Sequence, residues 1–483
     1  MSVPVRLADS SGRWVLVVTA AGSGLVLLEA TVVNVALPVL GSDLDASMSD
    51  LQWTVNAFAL ALSALVLLGG GLGDRFGRRR VYLIGLAWFG AASLLCGVAP
   101  SVEWLIAARA LQGIGGALIV PGSLALIQSS FHVDDRSRAI GWWAGMSGVA
   151  GAAGPLVGGG LVDVAGWRWV FVVNVPLAAA LGVLLVVYVP EARDSDRSHR
   201  FDVGGAVFAA VALAGLTYAL TATSDRVGAL AAGAVGLVVL VAFLLVEHRS
   251  AAPMLPLQLF GSRPFSVANG GSFLAYGGLA GVFFLLPIQL QVTAGYSALA
   301  AGMSLLPLTA LTLVLSPYGG ELTSRYGARV PLAAGSVICA VALLLATRVD
   351  SDTSYLTHVL PMVALIGIGV PLITPPITAT VLSSVPDGRA GIASAVSNGV
   401  ARVAALVVVA ALPLVVGLPQ DATQNPTALD RGYGVSMLIC AGLFLAAGIV
   451  SWVGLAQHAE PTARPLGRCQ ASLTCPQLEP ARD

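Results

Sequence analysis

A succession of long apolar runs, separated by short charged segments, constrains the fold of this chain more than any other feature. Only 10% of the 483 residues are Asp, Glu, Lys or Arg, whereas soluble domains contain about 25% charged residues. Many of the runs reach the roughly 17–25 residues that a membrane-spanning helix needs. The sequence therefore predicts an all-α polytopic membrane protein embedded in a lipid bilayer.

Runs bounded by charged residues, Pro or Gly give about 14 predicted spans. The first run follows Arg6 and Arg13 and is far longer than the roughly 7–15 apolar residues of a signal peptide. We therefore expect it to remain as the first helix. The predicted spans cover residues 14–40, 51–71, 81–99, 104–129, 138–162, 168–189, 203–223, 227–247, 265–291, 298–320, 330–348, 355–384, 390–417 and 432–456.

The arginines outside the spans predict the orientation. An even number of spans places both termini on one side of the membrane, and cytoplasmic loops carry the excess of basic residues. Every arginine outside the spans, except Arg168, Arg226, Arg348 and Arg431, falls on the side of the N-terminus. We therefore expect a multi-pass protein of the inner (plasma) membrane with both termini in the cytoplasm.

A charged, glycine-rich stretch reveals an internal repeat. It runs from Gly70 to Arg80 after the second span, and a copy with Arg325 and Gly327 follows the tenth. Two copies of a six-helix unit would place the second stretch after the eighth span, so two spans are inserted between the halves. The predicted organisation is an N-terminal six-helix half (1–190), cytoplasmic linker segments with two inserted transmembrane helices (191–263), a C-terminal six-helix half (264–456) and a disordered cytoplasmic tail (457–483).

The missing residue types and motifs exclude several classes of function. All 25 basic residues are Arg, so the chain has no P-loop lysine for an ATP-driven pump. The formal net charge of zero gives no indication of nucleic-acid binding. The five cysteines show no disulfide or metal spacing, and no HExxH, CxxC or GxSxG motif points to an enzyme. We therefore expect no enzymatic activity, no metal and no cofactor.

Four stretches, taken in order, resemble the signatures of the 14-span drug:proton antiporters of the major facilitator superfamily, and the resemblance extends to about Trp452. They are residues 28–38 (LEATVVNVALP), 70–80 (GGLGDRFGRRR), 109–115 (RALQGIG) and 154–159 (GPLVGG). The resemblance implies a major facilitator fold that exports amphipathic or cationic drugs and toxic compounds by alternating access. It implies a monomer driven by the proton gradient.

Two other functions are compatible with the same sequence. One is an exporter dedicated to a single metabolite, such as an endogenous antibiotic or a siderophore. The other is a transporter-like sensor without flux. We would expect such a sensor to contain a large folded soluble domain.

The resemblance places Glu29 and Arg109 in proton coupling. Glu29 lies about 15 residues, or roughly 22 Å, into the first span, where a carboxylate is costly and by default functional. Arg109 lies within the fourth span, where its guanidinium needs an acceptor or water. The alternatives are a structural carboxylate that bonds a neighbouring helix and an arginine that snorkels to the outer interface.

The substrate cavity is harder to locate from the sequence. Arg402, one turn after Asn398, is the other intramembrane charge, and we expect it to line the cavity or to pair with Glu29. The other candidates are polar or aromatic residues in or near the spans: Asn34, Trp53, Asn56, Gln112, Tyr276, Phe283 and Gln289.

Two glycine-rich segments are expected to serve conformational change. Glycines four apart let helices approach closely and proline bends a helix, so residues 154–159 predict a bent seam between the halves. An acid at the membrane edge is stabilised by a helix N-terminus, and the resemblance implies that the partner of Asp74 is the start of the thirteenth span, near residues 387–390. The seam comprises Gly154, Pro155, Gly158 and Gly159, and the conformational hinge comprises Gly70, Asp74, Arg75, Gly77, Arg78, Arg325 and Gly327.

Overall fold

A computed structural model describes residues 5–189, 191, 203–222, 225–250, 255–385 and 390–455, which form a bundle of long helices. The first six helices are α1 Ser10–Asp43, α2 Met48–Phe76, α3 Arg78–Gly97, α4 Val102–Ser130, α5 Val133–Ala165 and α6, which comprises Trp169–Val172 and Asn174–Tyr188. The next two are α7 Val203–Thr221 and α8 Arg226–Arg249. The last six are α9 Arg263–Val292, α10 (Ala298–Ser304 and Leu306–Tyr326), α11 Arg329–Ala346, α12 (Leu360–Gly369 and Thr374–Ser383), α13 Ala390–Val416 and α14 Pro426–Gly454.

The all-α fold and the membrane-spanning character are confirmed. Twelve helices of the described residues are long and apolar enough to cross a membrane. Helices α2 and α7 are not among the twelve, although each lies where a span was predicted. The predicted number of 14 spans is therefore not confirmed in full.

The two copies of the charged stretch have the same backbone form. Gly77, with φ of +108°, separates α2 from α3, and Gly327, with φ of +73°, ends α10 just before α11. Positive φ is readily adopted only by residues without a Cβ atom. The repeat seen in the sequence is therefore also a repeat of local geometry.

The helices pack as two similar sets, α1–α6 and α9–α14. Helix α1 packs against α5 as α9 packs against α13, and α3 contacts α4 and α6 as α11 contacts α12 and α14. This packing supports the predicted halves. The exact division of the chain stays a prediction, and its linker and tail lie largely outside the described residues.

The inserted helices α7 and α8 form a close pair. A Cβ atom on Gly215 would lie 2.7 Å from the carbonyl oxygen of Ala232 and 3.0 Å from the Cα atom of Gly236. Such approaches of two backbones require small residues at the interface. Helix α7 also packs on α2 and on α13, so it contacts both sets.

The two sets meet at the end of the bundle where α1 finishes at Asp43, which we term the Asp43 end. The Gln52 side chain of α2 donates to the carbonyls of Val409 (2.6 Å) and Ala410 (2.9 Å) in α13. The Asp163 carboxylate of α5 accepts two backbone N–H groups at the start of α10, both at 3.1 Å. These contacts close the Asp43 end.

The opposite end, where α1 begins at Ser10, is open between the sets. Helical spacing puts Gly141, Gly145 and Gly148 on the face of α5 that carries Gly159, which contacts α10. A Cβ atom on any of those first three glycines would meet no atom within 4 Å, whereas one on Gly159 would meet the α10 backbone. The cleft between α5 and α10 therefore widens from the Asp43 end towards the Ser10 end.

Candidate functional site

A buried ion pair joins α1 to α4 inside the first set of helices. Arg109 Nη1 donates to Glu29 Oε1 over 2.5 Å, and the two side chains are 1% and 0% exposed. An arginine that snorkels would reach the interface, so that alternative for Arg109 is wrong. Glu29 also does not pair with Arg402, because its partners are supplied by its own set of helices.

The Arg109 guanidinium is held on several sides. Its Nε donates to the carbonyl oxygen of Thr54 in α2 over 3.0 Å, and Nη1 also donates to Gln112 Oε1 over 2.6 Å. The rings of Phe58 and Phe171 lie 4.4 and 5.7 Å from the guanidinium carbon, within the range of cation–π attraction. The fixed charge thus has both polar and aromatic partners.

Asn174, at the break in α6, is the second partner of Glu29, and our sequence reasoning missed it. Its Nδ2 donates to Glu29 Oε2 over 2.6 Å, and Asn174 is fully buried. The sequence marks Asn174 only as a single amide at the start of an apolar run. Since both carboxylate oxygens accept hydrogen bonds from donors, the arrangement suits the ionised form of Glu29.

Replacing Asn174 with Ala should weaken this site without removing the ion pair. One Glu29 oxygen would lose its donor while it stays buried, which costs about 1–3 kcal/mol. We expect a lower thermal midpoint of the purified protein, measured by unfolding in detergent, and slower transport. A matched control is Asn425→Ala, which removes a backbone cap from the exposed end of α14. Equal midpoints for wild type and Asn174→Ala would contradict the role of this amide.

Two of the predicted cavity residues have structural partners instead. Gln112 is fully buried between Arg109 and Ser93, and its Nε2 donates to Ser93 Oγ over 2.7 Å. Gln289 is also fully buried, and its Nε2 donates to the carbonyl oxygen of Val349 and to Asp430 Oδ1. In this structure both amides serve helix packing, and their role at a cavity stays a prediction.

The remaining cavity candidates are compatible with a cavity and stay predictions. Trp53, Asn34 and Phe283 are partly buried. Within the described ranges, Asn34 Oδ1 and Asn56 Nδ2 are buried and accept or donate no hydrogen bond. Tyr276 lies 3.4 Å from Thr374 Oγ1 through its hydroxyl.

The glycine-rich segment of α5 packs on two different neighbours. Cβ atoms on Gly154 and Gly158 would meet Thr31 and Val32 of α1, within the same set. Gly159 approaches the backbone of α10 in the other set, as does Pro155 through its carbonyl oxygen. The prediction of one seam between the halves is therefore corrected, because the helix presents Gly154 and Gly158 on a different face from Gly159.

The hinge residues form contacts at the Ser10 end. Gly70 lies against Pro121, with 3.5 Å between its Cβ position and that of the proline. Arg78 Nη1 donates to the carbonyl oxygen of Ala125, and Arg325 pairs with Glu321. Arg75 lies over the ring of Phe76.

Part of the hinge hypothesis stays untested. The side chain of Asp74 and residues 386–389 lie outside the described part of the structure. Glu191 forms a further contact at the hinge: its Oε1 accepts from the backbone N–H of Arg79 over 3.2 Å, and its Oε2 lies 3.8 Å from Arg80.

Gly77 is the hinge position with the least tolerance for a side chain. A Cβ atom there would combine a φ of +108° with a distance of 2.7 Å to Glu191 Oε1. We expect Gly77→Ala to cost about 1–3 kcal/mol of stability and to slow transport. Gly73→Ala is the matched control, because its Cβ atom would meet no atom closer than 3.9 Å. Thermal unfolding of both variants measures the difference, and equal midpoints would contradict the strain.

Known proteins place this geometry in a family. The family model of the Major Facilitator Superfamily matches residues 19–410. The puromycin resistance protein pur8 of Streptomyces alboniger is 36% identical over 479 residues, covering 94% of both chains. The multidrug resistance protein Stp of Mycobacterium tuberculosis is 34% identical over 419 residues, covering 85% of this chain and 77% of the relative.

A solved structure has the same fold. The crystal structure of a bacterial homologue of the human lysosomal transporter Spinster superposes with a TM-score of 0.66 at 16% identity, covering 92% of this chain and 97% of that one. The family match, the two relatives and the helical architecture agree. The chain belongs to the Major Facilitator Superfamily.

Proposed function

We propose that this protein exports amphipathic or cationic drugs and toxic compounds in exchange for protons. The observation that carries the proposal is the Glu29–Arg109 pair, which is fully buried among membrane-spanning helices. Ionisable groups at such depth are costly to keep and mark ion pathways or proton relays. The names of the two relatives, which refer to puromycin resistance and multidrug resistance, support drugs as the substrates.

Protonation of Glu29 would change the contacts between helices. Each Glu29 oxygen accepts from a donor on another helix, Arg109 on α4 and Asn174 on α6. A proton on Glu29 neutralises the carboxylate, which removes its charge attraction to Arg109 and weakens the hydrogen bond that it accepts from Asn174. Protonation therefore loosens α1 from α4 or from α6, which is the kind of local change that alternating access requires.

The arrangement of the two sets supports an inward-facing state. The sets contact at the Asp43 end and lie apart at the Ser10 end, and the arginine distribution favours a cytoplasmic Ser10 end. In this proposal the protein is a monomer of the plasma membrane whose two termini are cytoplasmic. Substrate enters from the cytoplasm, and the contacts of Gln52 and Asp163 break when the outer end opens.

Proton-driven efflux can be tested with the purified full-length chain in proteoliposomes. Ethidium transport is followed by fluorescence while a pH gradient is imposed across the membrane. We expect transport that follows the gradient and stops when an ionophore collapses it. An ethidium transport rate that does not change with the pH gradient would overturn proton coupling.

The name of one relative favours a second candidate, an exporter dedicated to one compound. The relative from Streptomyces alboniger is named for puromycin alone, whereas the mycobacterial one is named for many drugs. A panel of dyes and antibiotics in the same assay distinguishes the candidates. Several transported compounds of unlike chemistry support the drug exporter, and a single one supports the dedicated exporter.

A further inference from the structure

A small polar cavity lies in the second set of helices, between α9, α12 and α13. Its volume is about 100 Å³, well below the roughly 300–1,000 Å³ of sites that enclose a drug-sized molecule. It is nevertheless large enough for several waters or for one functional group. The polar residues that line it are Ser272, Tyr276, Thr378, Ser394, Ser397 and Asn398.

One hydroxyl that lines this cavity and one arginine next to its lining residue Ala401 lack a partner among the described residues. Ser272 is 1% exposed, yet its Oγ makes no hydrogen bond. Arg402 lies one helical turn beyond Asn398, and no hydrogen bond or ion pair within the described ranges involves its side chain. A buried hydroxyl without a partner is costly, and an intramembrane guanidinium needs an acceptor or water. A guanidinium can only donate, whereas a serine hydroxyl can donate or accept, so a ligand that accepts hydrogen bonds would satisfy both groups.

Several buried hydroxyls of the first set have partners within the protein. Between α1, α4 and α5, Ser23 and Ser123 bond each other over 2.7 Å, and Trp143 Nε1 donates to Ser23 Oγ over 3.2 Å. Ser147 donates to the carbonyl oxygen of Ala20 over 3.0 Å. Ser130 and Ser336 also lack a partner among the described residues, and Ser272 differs from them because it lines this cavity.

The charge around the cavity is one-sided. The sequences of α9, α12 and α13 contain no Asp or Glu, while Arg402 contributes a permanent positive charge. A cationic group would meet no counter-charge from these three helices, and the positive charge of Arg402 would repel it. A negatively charged oxygen could accept from both donors, and such charge-assisted hydrogen bonds are the strong ones.

We propose that this cavity is a subsite for one acidic oxygen group, a carboxylate or a phenolate, of the exported molecule. Ser272 and Arg402 donate to that oxygen, and Tyr276 at the cavity wall supplies an adjacent hydroxyl. The rest of the molecule lies in the cleft between the two sets. The inference rests on the proposed export function and extends its substrates to amphipathic acids.

The test compares the binding of two dyes to the purified full-length protein in detergent, measured by fluorescence polarisation without a proton gradient. Fluorescein is an anion with a carboxylate and a phenolate, and ethidium is a cation. Arg402→Gln should raise the Kd of fluorescein by about tenfold or more, and Ser272→Ala by about threefold. The Kd of ethidium should change by less than about twofold in either variant.

Matched variants separate recognition from folding. Ser336→Ala removes another buried serine whose hydroxyl has no partner in the described part of the chain, and it lies outside the cavity, so its fluorescein Kd should equal that of wild type. Arg402→Lys should retain much of the fluorescein affinity because it keeps the charge. If Arg402→Gln is not monodisperse, Ser272→Ala decides the question.

The results that overturn the subsite differ from those that overturn the transporter. Absence of fluorescein binding to wild type, or an equal loss for both dyes in Arg402→Gln, rejects the subsite. Failure of proton-driven ethidium efflux in proteoliposomes rejects the proposed function. Because binding is measured without a gradient, either failure can be seen without the other.

Discussion

Replacing Glu29 with Gln is expected to abolish proton-driven efflux while the protein still reaches the membrane. Glutamine keeps the size of the side chain but has no group that titrates. Arg109 would then remain buried without its counter-charge, and removal of one partner of a buried pair costs about 3–5 kcal/mol. We therefore expect efflux to fall to the level of liposomes without protein and the thermal midpoint to decrease.

The measurement is ethidium efflux from proteoliposomes under an imposed pH gradient. Glu103→Gln is the matched control, because this carboxylate is exposed in the first turn of α4, and its efflux should equal that of wild type. Glu29→Asp retains a titrating group with a shorter reach and should recover part of the activity. Undiminished gradient-driven efflux in Glu29→Gln would remove Glu29 from the coupling site.

The sequence was sufficient to predict the residues whose burial in a membrane costs free energy. A charge within an apolar run is expensive wherever the helix faces, so Glu29 and Arg109 could be selected before their contact was known. The glycines of the hinge were equally visible, because Gly77 and Gly327 occupy the same place in two copies of one motif. Both adopt positive φ in the structure.

The contacts that depend on how each helix is oriented about its own axis could not be predicted from the sequence. In a soluble protein the polar face of a helix shows which side is buried. A helix in lipid is apolar on every side, so its sequence hardly records which residues face a neighbour. This is why Asn174 was missed and why Gln112 and Gln289 were assigned to a cavity. The same ambiguity hid the two faces of the glycine segment in α5.

The state of the transporter is also not encoded in the pattern of the spans. In the proposed alternating-access cycle, one sequence supports both an inward-facing and an outward-facing packing of the same helices, which differ by only a few kcal/mol. The contacts of Gln52 with α13 and of Asp163 with α10 lie at the closed Asp43 end. Their donors and acceptors resemble ordinary helix-end residues in the sequence.

The closure at the Asp43 end makes Gly302 the position where the smallest substitution should have the largest conformational effect. A Cβ atom there would overlap the carbonyl oxygen of Pro155 and lie 2.7 Å from its carbonyl carbon. Neither atom belongs to a side chain that could move aside, so Gly302→Ala must separate α10 from α5. Such overpacking costs about 1–3 kcal/mol in this state only. The equilibrium should therefore shift by about 5- to 150-fold towards the state that is open at the Asp43 end.

Gly160→Ala provides the matched control on the facing helix, because its Cβ atom would meet only the flexible end of Leu299, at 3.9 Å. Spin labels at Val164→Cys and Ala300→Cys, in a chain whose native cysteines are replaced by serine, report the distance between α5 and α10 by pulsed electron paramagnetic resonance. Gly302→Ala should lengthen this distance and slow ethidium efflux, while Gly160→Ala should change neither. A short distance in Gly302→Ala would show that the backbone contact at Pro155 does not hold the outer end closed. The expected combination of a longer distance and slower efflux would identify the return to the inward-facing state as the step that Gly302 permits.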